Sequence, residues 1–551
     1  MSKQTENWGS RVGLVLAVAG NAVGLGNFLR FPAQAVANGG GAFIIPYLVS
    51  FVLMGIPLLW IEWAIGRHGG RFGHHSTPGA MHELGKSRML KYIGVFGIFS
   101  NLTIAAYYVY IESWTLAYVW YSVTGVFTGM SSMEVSHFFS WYLASGDGHM
   151  YNVSSPAVIS FMICVSLNLF ILSRGLSKGV ELASKIGMPI LILFGIFLTL
   201  MVLNLDAGEF GAINDAMLGL SFLWTPQFDS LANPKVWLAA AGQIFFTLSV
   251  GMGSIQCYAS YLRERDDIAL NASSAGWMNE FVEVILGGSI IIPIAVAYLG
   301  MDWLQANVGF EMGFRTMPTL FQNWGPFLAA IGGVAWFGLL FFAAITSSLA
   351  MGQPIMAFLQ DEFNVERRRA ALLFGAVLLL LAIPCMVLYE GGAFNEYDYW
   401  VGTFSLFVFA LAEAVVFAWV FGMDKAWDEI NRGADMKIPH IYKYIIKYVT
   451  PTFLLAVFIG AVFKPSDGVW ASAFAALFSG DGWSFAGDSV IGTILHVGVD
   501  DLRWFVDGHP TPIFIQDASR TLLVFTFLGI AAAVHIAFKR RRQLATQGGR
   551  A

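Results

Sequence analysis

Oxygen-bearing side chains occur at unusual density inside apolar stretches of this chain. Asn279, Glu280 and Glu283 lie in one such stretch, and residues 346–348 form a Thr-Ser-Ser run in another. Several amide, hydroxyl and carbonyl oxygens can together replace the hydration shell of a hard cation of modest charge. Clustered carboxylates of the kind that bind calcium are missing from these stretches, so sodium is the predicted ion. For the Thr-Ser-Ser run alone, hydrogen bonding of the hydroxyls to the preceding helical turn is a competing interpretation.

Residues 19–32, AGNAVGLGNFLRFP, interrupt the first apolar stretch with content that a lipid-facing helix avoids. Three glycines within seven residues, two asparagines and an arginine disfavour a continuous helix in contact with lipid. Non-helical backbone at membrane depth persists only where it lines a cavity or is buried in protein. The segment is therefore predicted to form two half-helices around an unwound hinge, whose free N–H and C=O groups are available to a ligand.

Residues 243–253, QIFFTLSVGMG, repeat this pattern of small and hydroxyl residues in the sixth apolar stretch, five after the first. Broken helices at corresponding positions of two five-helix halves indicate an inverted repeat with a binding site near the membrane midplane. The competing interpretation is that the glycines only permit close helix packing. Close packing accounts for a single glycine-rich segment better than it accounts for two such segments at corresponding positions.

The elements that must position these groups are membrane helices. The chain has 551 residues, 56% of them apolar and 12% charged, far from the averages of soluble domains. Lys and Arg concentrate in alternate loops and in the tail 539–542, whereas 125–155 and 205–233 contain neither, so both termini are predicted to be cytoplasmic. Apolar runs of about 20 residues predict twelve spans, near 11–37, 42–69, 90–123, 157–173, 184–204, 236–261, 270–300, 327–359, 370–388, 398–421, 442–463 and 519–538.

The fold class predicted from these patterns is an all-α polytopic membrane protein. Its first ten spans form a 5+5 inverted repeat with broken helices 1 and 6, and two C-terminal helices follow. The three cysteines, Cys164, Cys257 and Cys385, all fall in apolar stretches, so no disulfide framework is expected. An enzyme is not expected either, because no nucleophile, base and oxyanion-hole constellation is present.

At this point the motifs resemble those of the neurotransmitter:sodium symporters, most closely the bacterial leucine transporter branch. The likeness covers about residues 7–463. It implies a sodium-coupled symporter that imports hydrophobic L-amino acids by alternating access across the cell membrane. Seven segments match family motifs in order: GNAVGLGNFLRFP, NGGGAFIIPY, YYVYIESW, GQIFFTLSVGMGS, NEFVEVILGGS, ITSSLAMGQP and DYWVGT.

The resemblance implies two bound sodium ions. The first would be bound together with the cargo, because a carboxylate oxygen of the substrate completes its shell. The second would join span 1 to span 8. The ligands implied for the first ion are the Ala22 carbonyl, the Asn27 and Asn279 side chains, and the carbonyl and hydroxyl of Thr247. Those implied for the second are the carbonyls of Gly20, Val23 and Ala343 and the hydroxyls of Thr346 and Ser347.

The resemblance also places an amino-acid zwitterion at the two breaks, where half-helix ends favour opposite charges. Met252 and Met351 stand where the leucine-transporting relative has an aromatic ring and an isoleucine. Because methionine is flexible, a broader set of large hydrophobic amino acids is expected. The carboxylate would face Leu25, Gly26 and Tyr108, and the ammonium Ala22, Phe246, Thr247 and Ser249. Asn21 and Ser347 would also contact the substrate. The pocket for the substrate's side chain would comprise Ile104, Tyr108, Phe246, Met252, Ser348 and Met351.

Glu283 has an implied role of its own. In chloride-dependent relatives a neutral residue occupies this position and the anion binds beside it. A built-in carboxylate would replace the anion, so chloride independence is implied. The alternative is a structural intramembrane acid paired with a neighbour.

Two gates are implied by the same resemblance. Arg30 and Asp398 would form an outer pair above Tyr108 and Phe246. On the inner side Trp8, Tyr261 and Asp361 match family positions. The arginine expected near the N-terminus is replaced by Thr5, and Lys3 is the candidate substitute.

The chain divides into three regions on this basis. Residues 1–463 form the symporter core with spans 1 to 11, the repeat lying within about 11–421. Residues 464–517 form a long outer loop, for which partner contact and a passive cover are both open. Residues 518–551 hold span 12 and a basic cytoplasmic tail. His74, His75 and His82 lack metal-ligand spacing and are predicted to be solvated.

Two other functions share these features. A sodium-dependent sensor or channel would keep the same cation oxygens but would not accumulate amino acid. A proton-coupled amino-acid antiporter would share the fold, but it usually carries a basic residue at the second sodium site, where Thr346 and Ser347 stand here. The expected partners are a small amino acid and the lipid bilayer, with no nucleic acid, and a homodimer is left open.

Overall fold

The computed structural model describes residues 8–85, 87–145, 151–226, 228, 231, 234–506 and 509–548. These residues are mostly helical, with one antiparallel strand pair, Phe505–Val506 and His509–Pro510. Ten continuous helices are long and apolar enough to cross a membrane. They are span 2 (Gly41–Arg71), span 3 (Leu90–Val123), span 4 (Ser155–Ser173), span 5 (Leu176–Leu203), span 7 (Ile268–Leu299), span 8 (Pro326–Phe363), span 9 (Arg367–Val387), span 10 (Ala393–Asn431), span 11 (Ile441–Phe463) and span 12 (Pro512–Arg541).

Span 1 is broken, as predicted. Its halves, span 1a (Arg11–Ala22) and span 1b (Leu25–Ala37), meet at an angle of 46°. Val23 and Gly24 between them have extended backbone angles. The Gly24 amide donates to Asn27 Oδ1 at 2.8 Å, so the side chain of Asn27 caps the start of span 1b.

Span 6 is broken as well. Span 6a (Pro234–Leu248) and span 6b (Ser254–Ala259) flank residues 249–253. Ser249, Gly251 and Gly253 in this break have positive φ angles of 53°, 73° and 85°. Only glycine adopts such angles without strain, which explains the Gly-Met-Gly sequence here. With the bent span 1 counted once, the described residues hold eleven spans long and apolar enough to cross a membrane, one fewer than the predicted twelve, because span 6a is too short to meet that length.

Shorter helices cover the ends of the bundle. They are Thr77–Gly85, Ser132–Leu143, Met217–Trp224, Met301–Asn307, Met312–Arg315, Met317–Gln322, Trp470–Ser479 and Val490–Ile494. Spans 3 and 8 pack against each other along much of their length, and span 1a packs against spans 6b and 8. The breaks of spans 1 and 6 therefore lie beside spans 3 and 8 in the buried core.

Several span boundaries differ from those predicted. Span 12 begins at Pro512, so the outer segment ends at 511 rather than 517. Span 5 begins at Leu176, before the apolar run that marked it. Gly422, with a φ of 98°, interrupts the helix of span 10 next to its predicted end at 421, and the helix Met423–Asn431 follows. Hydropathy locates only the part of a helix that matches lipid, whereas its ends continue as polar turns packed on neighbouring helices.

Candidate ion and substrate site

Three polar side chains from spans 1b, 6a and 7 meet beside the two breaks. Asn27 Nδ2 donates to Asn279 Oδ1 at 2.8 Å and lies 3.2 Å from Thr247 Oγ1. Asn279 Nδ2 donates to the same Thr247 hydroxyl at 3.0 Å. All three side chains are buried. The three side chains predicted for the first sodium site thus lie within one hydrogen-bonded cluster, and their neutral amide and hydroxyl oxygens are the ligand types that suit a monovalent hard cation.

Glu283 lies at the edge of that cluster and is fully buried. Its Oε2 accepts from Asn27 Nδ2 at 3.0 Å, and its Oε1 accepts from Gln243 Nε2 at 2.7 Å. Glu280 approaches the cluster from the same span, 3.4 Å from Asn279 Nδ2. The amides of Asn27 and Gln243 and the hydroxyl of Tyr47 surround the Glu283 carboxyl, and Glu280 is a second acid beside it.

The second predicted sodium set converges between spans 1a and 8. Ser347 Oγ lies 3.2 Å from the Gly20 carbonyl oxygen and 3.0 Å from the Ala343 carbonyl oxygen. Thr346 Oγ1 donates to Phe342 O at 2.9 Å, the back-bonding that the sequence left open, and also lies 3.2 Å from Ala343 O. Val23 is the first residue of the break and its amide donates to Ala19 O. Carbonyls and hydroxyls therefore lie together across the two spans.

A small cavity, of about 30 Å³, lies where the two breaks meet. Every residue predicted to bind substrate lines it except Leu25 and Ser348. The lining comprises Asn21, Ala22, Gly26, Ile104, Tyr108, Phe246, Thr247, Ser249, Met252, Ser347 and Met351, together with Gly24, Asn27, Tyr107, Gly402 and Leu406. No charged side chain is among these described lining residues, so the cavity suits an apolar cargo whose own charges are met by helix ends.

The two exceptions have different positions. The Leu25 amide donates to Tyr108 Oη at 3.2 Å, and its side chain lines a larger cavity beyond the site. Ser348 turns away and donates to Asn168 Oδ1 at 2.8 Å, which corrects its predicted place in the pocket. Successive residues of a helix point about 100° apart, and here that step directs Ser348 towards span 4 while Ser347 faces the cavity.

Side chains from spans 2 and 3 hold the broken part of span 6. The Gly251 amide donates to Glu62 Oε1 at 2.6 Å. Asn101 Nδ2 donates to the Met252 carbonyl at 2.6 Å. Ser249 Oγ donates to the Asn21 carbonyl at 3.0 Å, which ties the two breaks together. Neither Glu62 nor Asn101 was predicted from the sequence, although a buried acid or amide in an apolar span is the signal that locates such residues.

The outer gate residues lie between the site and the larger cavity. The Arg30 guanidinium lies 4.1 Å over the ring of Phe246. Asp398 Oδ1 accepts from Tyr107 Oη at 2.9 Å. Arg30, Asp398, Tyr108 and Phe246 all line the larger cavity, of about 540 Å³. Phe246 and Tyr108 line both cavities, so they separate the site from this vestibule.

The opposite end of the bundle is closed by packed side chains. Trp8 Nε1 donates to the Tyr258 carbonyl at 3.0 Å. Asp361 accepts from the His75 amide at 2.9 Å, and Tyr261 stacks on the His75 ring at 4.3 Å. Trp8, Tyr261 and Asp361 thus lie at the predicted inner end, whereas Lys3 and Thr5 lie outside the described residues.

Two features of the inner end were not predicted. Glu181 of span 5 accepts from the Gly9 amide at 2.6 Å and from Ser10 Oγ at 2.9 Å, which fastens the start of span 1a. His74 is buried against Glu362 at 3.1 Å and is also contacted by Arg541 of span 12. The prediction that His74 is solvated is therefore wrong, because a distant helix end covers it.

Comparison with known proteins agrees with this geometry. The profile of the sodium:neurotransmitter symporter family matches residues 5–137 and 135–497. A sodium-dependent transporter from Methanocaldococcus jannaschii is 32% identical over 86% of this chain and 92% of its own length. The sodium-dependent serotonin transporter of Drosophila melanogaster is 26% identical over 83% of this chain and 76% of its own. The crystal structure of MhsT in complex with L-phenylalanine matches with a TM-score of 0.71 at 28% identity, covering 83% of this chain and 99% of that one.

The family match extends over far more than half of the chain and includes both broken spans. Its members are secondary transporters rather than enzymes, which agrees with a cavity lined by helix ends and neutral oxygens. This multi-pass membrane protein therefore belongs to the sodium:neurotransmitter symporter family and is a sodium-dependent transporter of a small molecule.

Proposed function

We propose that the protein imports large hydrophobic L-amino acids together with two sodium ions, without chloride, across the cell membrane. The observation that carries this proposal is the cavity at the two helix breaks, whose lining combines free backbone, hydroxyls and apolar side chains without a charged residue among those described. Such a lining suits a zwitterion with an apolar side chain. MhsT, a relative of solved structure, was crystallised with L-phenylalanine.

The ends of the half-helices account for recognition of the zwitterion. The N-terminus of span 1b presents the amides of Leu25 and Gly26, where a helix favours negative charge. Tyr108 Oη, 3.2 Å from the Leu25 amide, is close enough to share a substrate carboxylate with it. The C-terminal end of span 6a offers the carbonyls of Phe246 and Thr247 to the ammonium group.

Coupling to sodium follows from the shared ligands. Asn27 and Thr247 line the substrate cavity and belong to the cluster with Asn279. A sodium ion among these oxygens would lie next to the substrate carboxylate, so each would stabilise the other. The second ion, between Gly20 and Ser347, would fix span 1a against span 8.

Alternating access would use the two ends of the bundle in turn. The vestibule above Phe246 and Arg30 gives access from the side opposite the N-terminus. The inner end is closed by Trp8 and by the contacts of Asp361 and Tyr261. We place the termini in the cytoplasm from the Lys and Arg bias of the loops, so the vestibule would face outward.

The test is a binding and uptake panel on purified protein. Amino acids of graded size would be measured in sodium or potassium buffer, each with chloride or gluconate. We expect binding that needs sodium and not chloride, with phenylalanine, tryptophan, leucine and methionine ahead of alanine. In proteoliposomes a sodium gradient should drive accumulation. Equal affinity in potassium would refute the proposal. Current without accumulation would indicate a channel, and exchange driven by a proton gradient alone would indicate an antiporter.

A further inference from the structure

Another polar cluster lies behind the substrate cavity and has no part in the proposed coupling to sodium. Its centre is Glu112 of span 3, one helical turn beyond Tyr108. The side chain is fully buried, with a relative exposure of 0%. A carboxylate in such a place is unstable unless a cation, a set of donors or a proton neutralises it.

The partners of Glu112 are neutral. Asn168 of span 4 donates from Nδ2 to both carboxyl oxygens, at 2.9 and 3.2 Å. Ser348 is hydrogen-bonded to the other end of the same Asn168 amide, at 2.8 Å, and Ser348 and Cys164 are the other polar side chains near the carboxyl. Among the described residues no lysine or arginine forms an ion pair with it. Asn168 also donates to the Cys164 carbonyl, so its amide compensates only part of the charge, and a proton is the remaining means of neutralising the rest.

The orientation of the Asn168 amide is fixed by its surroundings. Its Nδ2 also donates to the Cys164 carbonyl at 3.0 Å, and a carbonyl can only accept. Its Oδ1 therefore points to Ser348, whose hydroxyl donates to it at 2.8 Å. Ser348 has one hydroxyl hydrogen. Its acceptors are Asn168 Oδ1 at 2.8 Å and the Ile345 carbonyl at 3.1 Å. With the hydrogen on either of these, the nearer being Asn168, the Ser348 oxygen can face Glu112 only as an acceptor.

We propose that Glu112 is a proton-binding site, and that its bound proton closes a ring of hydrogen bonds linking spans 3, 4 and 8 behind the cavity. The Glu112 hydroxyl donates to Ser348, Ser348 donates to Asn168, and Asn168 donates back to the Glu112 carbonyl oxygen. Each member of the ring then both donates and accepts. An ionised Glu112 would compete with Asn168 for the single hydrogen of Ser348 and leave the ring open.

The ring makes Glu112 a positioning residue for the cavity wall. Ser348 follows Ser347 directly and precedes Met351 by one helical turn, and both of these line the cavity. Fixing Ser348 therefore fixes the rotation of span 8 at the pocket. This second part of the inference rests on the proposed amino-acid function, whereas the proton site itself rests on the geometry of the ring alone.

The other titratable groups near the carboxyl are few. Tyr108 lies on the same span and Cys164 on span 4, while span 8 contributes the hydroxyl of Ser348. Both Tyr108 and Cys164 are neutral when protonated, so neither supplies a fixed charge that would hold Glu112 ionised.

Infrared difference spectroscopy of the full-length protein tests the proton directly and needs no substrate. Wild type minus Glu112→Gln should show the carbonyl stretch of a protonated carboxylic acid, shifted in deuterium oxide. Glu209→Gln, which removes an exposed acid, should show carboxylate bands instead. A spectrum for Glu112→Gln that contains only carboxylate bands would overturn the proton site.

The hydrogen bond to Ser348 has its own readout. Ser348→Ala removes the acceptor, so the acid band should move to higher frequency. Ser113→Ala is the matched control, because that hydroxyl donates to Tyr110 O in its own helix, and it should leave the band in place. An unmoved band in Ser348→Ala would overturn the ring.

Substrate binding tests the positioning role. Glutamine can accept from Asn168 and donate to Ser348, so Glu112→Gln should keep amino-acid affinity within about twofold of wild type, whereas Glu112→Ala should lose roughly tenfold. Equal losses in the two variants would overturn the positioning role. Failure of the proposed function would appear differently, as absence of sodium-dependent amino-acid binding in the wild type.

Discussion

Asn27 belongs to the predicted first sodium site and also lines the cavity at the two breaks. Its Oδ1 caps span 1b through the Gly24 amide, while its Nδ2 contacts Asn279 and Glu283. One amide thus connects a helix start, a predicted sodium ligand and the buried acid. A change at any of these groups should therefore be felt by both ion and substrate.

The two predicted sodium sites should be separable by mutation. Asn279→Ala should lower sodium and substrate affinity together, by about ten- to a hundredfold, since a charge-assisted contact contributes roughly 1.5 to 3 kcal/mol. Thr346→Ala should act mainly on sodium. Sodium titrations with and without substrate measure both. Asn204→Ala, whose amide donates to Leu200 O at an exposed position, is the control, and wild-type titrations in both site variants would refute the assignment.

Chloride dependence should follow the charge at Glu283. Glu283→Ser removes the carboxylate and leaves room for an anion, so transport should become dependent on chloride. Glu283→Gln is the matched variant, because it removes the charge but not the volume, and chloride should rescue it poorly. Uptake in chloride and gluconate distinguishes them. Chloride-independent uptake by the serine variant would show that the acid is structural.

Selectivity should depend on the methionines of the pocket. Met252→Phe fills space beside the cargo, and overpacking costs about 1 to 3 kcal/mol, so tryptophan and phenylalanine should lose affinity relative to leucine. Met162→Phe, on the exposed face of span 4, should leave the order unchanged. Competition among amino acids measures this order. Sodium affinity with alanine as substrate should stay the same, because neither Met252 nor Met351 supplies an oxygen ligand to a cation.

At the scale of the element, the break of span 6 depends on backbone that only glycine adopts easily. Gly251 has φ +73°, and a Cβ there would lie 2.4 Å from the Leu406 carbonyl oxygen. A residue with a side chain in the left-handed conformation lowers the free energy of unfolding by about 1 to 2 kcal/mol before that clash is counted. The break is therefore fixed both by its own conformation and by contact with span 10.

Alanine at two glycines of span 6 should have opposite effects. Gly251→Ala should lower thermal stability and weaken substrate binding. Gly242→Ala lies in the helical half, where an added Cβ meets nothing within 4 Å, and should raise stability by about 0.5 to 1 kcal/mol. Thermal unfolding of the purified protein compares them. A Gly251→Ala protein as stable as wild type would mean that residues 249–253 form a regular helix.

At the scale of the whole molecule, span 12 reaches the inner end of the core. Arg541 Nε pairs with Glu362 of span 8 at 3.0 Å, and Nη1 lies 2.8 Å from His74 Nε2. Glu362 is adjacent to the gate residue Asp361. Span 12, which follows the predicted repeat, therefore contacts the segment that would move if the inner side opens as proposed.

Removing Arg541 should loosen this end without changing the substrate site. In Arg541→Ala, amide hydrogen exchange should rise in residues 74–85 while amino-acid affinity stays constant. The arginine is 37% exposed, so the loss of overall stability should stay below about 1 kcal/mol. Arg540→Ala on the exposed side of the same turn is the control. Equal exchange in both variants would show that the contact does not hold the loop.

The sequence determined the features that depend on local composition. Glycines and asparagines inside apolar runs placed both breaks, because such residues disfavour a lipid-facing helix wherever the rest of the chain lies. The apolar spans and the clustered oxygens of Asn279 and Thr346 follow from the same local chemistry. The motif resemblance then assigned ligand roles that geometry alone leaves open.

Only the tertiary structure decided which side chains meet across distant spans. Ser347 faces the cavity and Ser348 faces Asn168, a choice set by the rotation of span 8 against span 4. His74 is buried because Arg541, 467 positions later in the chain, packs over it. A buried polar group takes its partner from whichever element packs beside it, and that neighbour is a property of the fold.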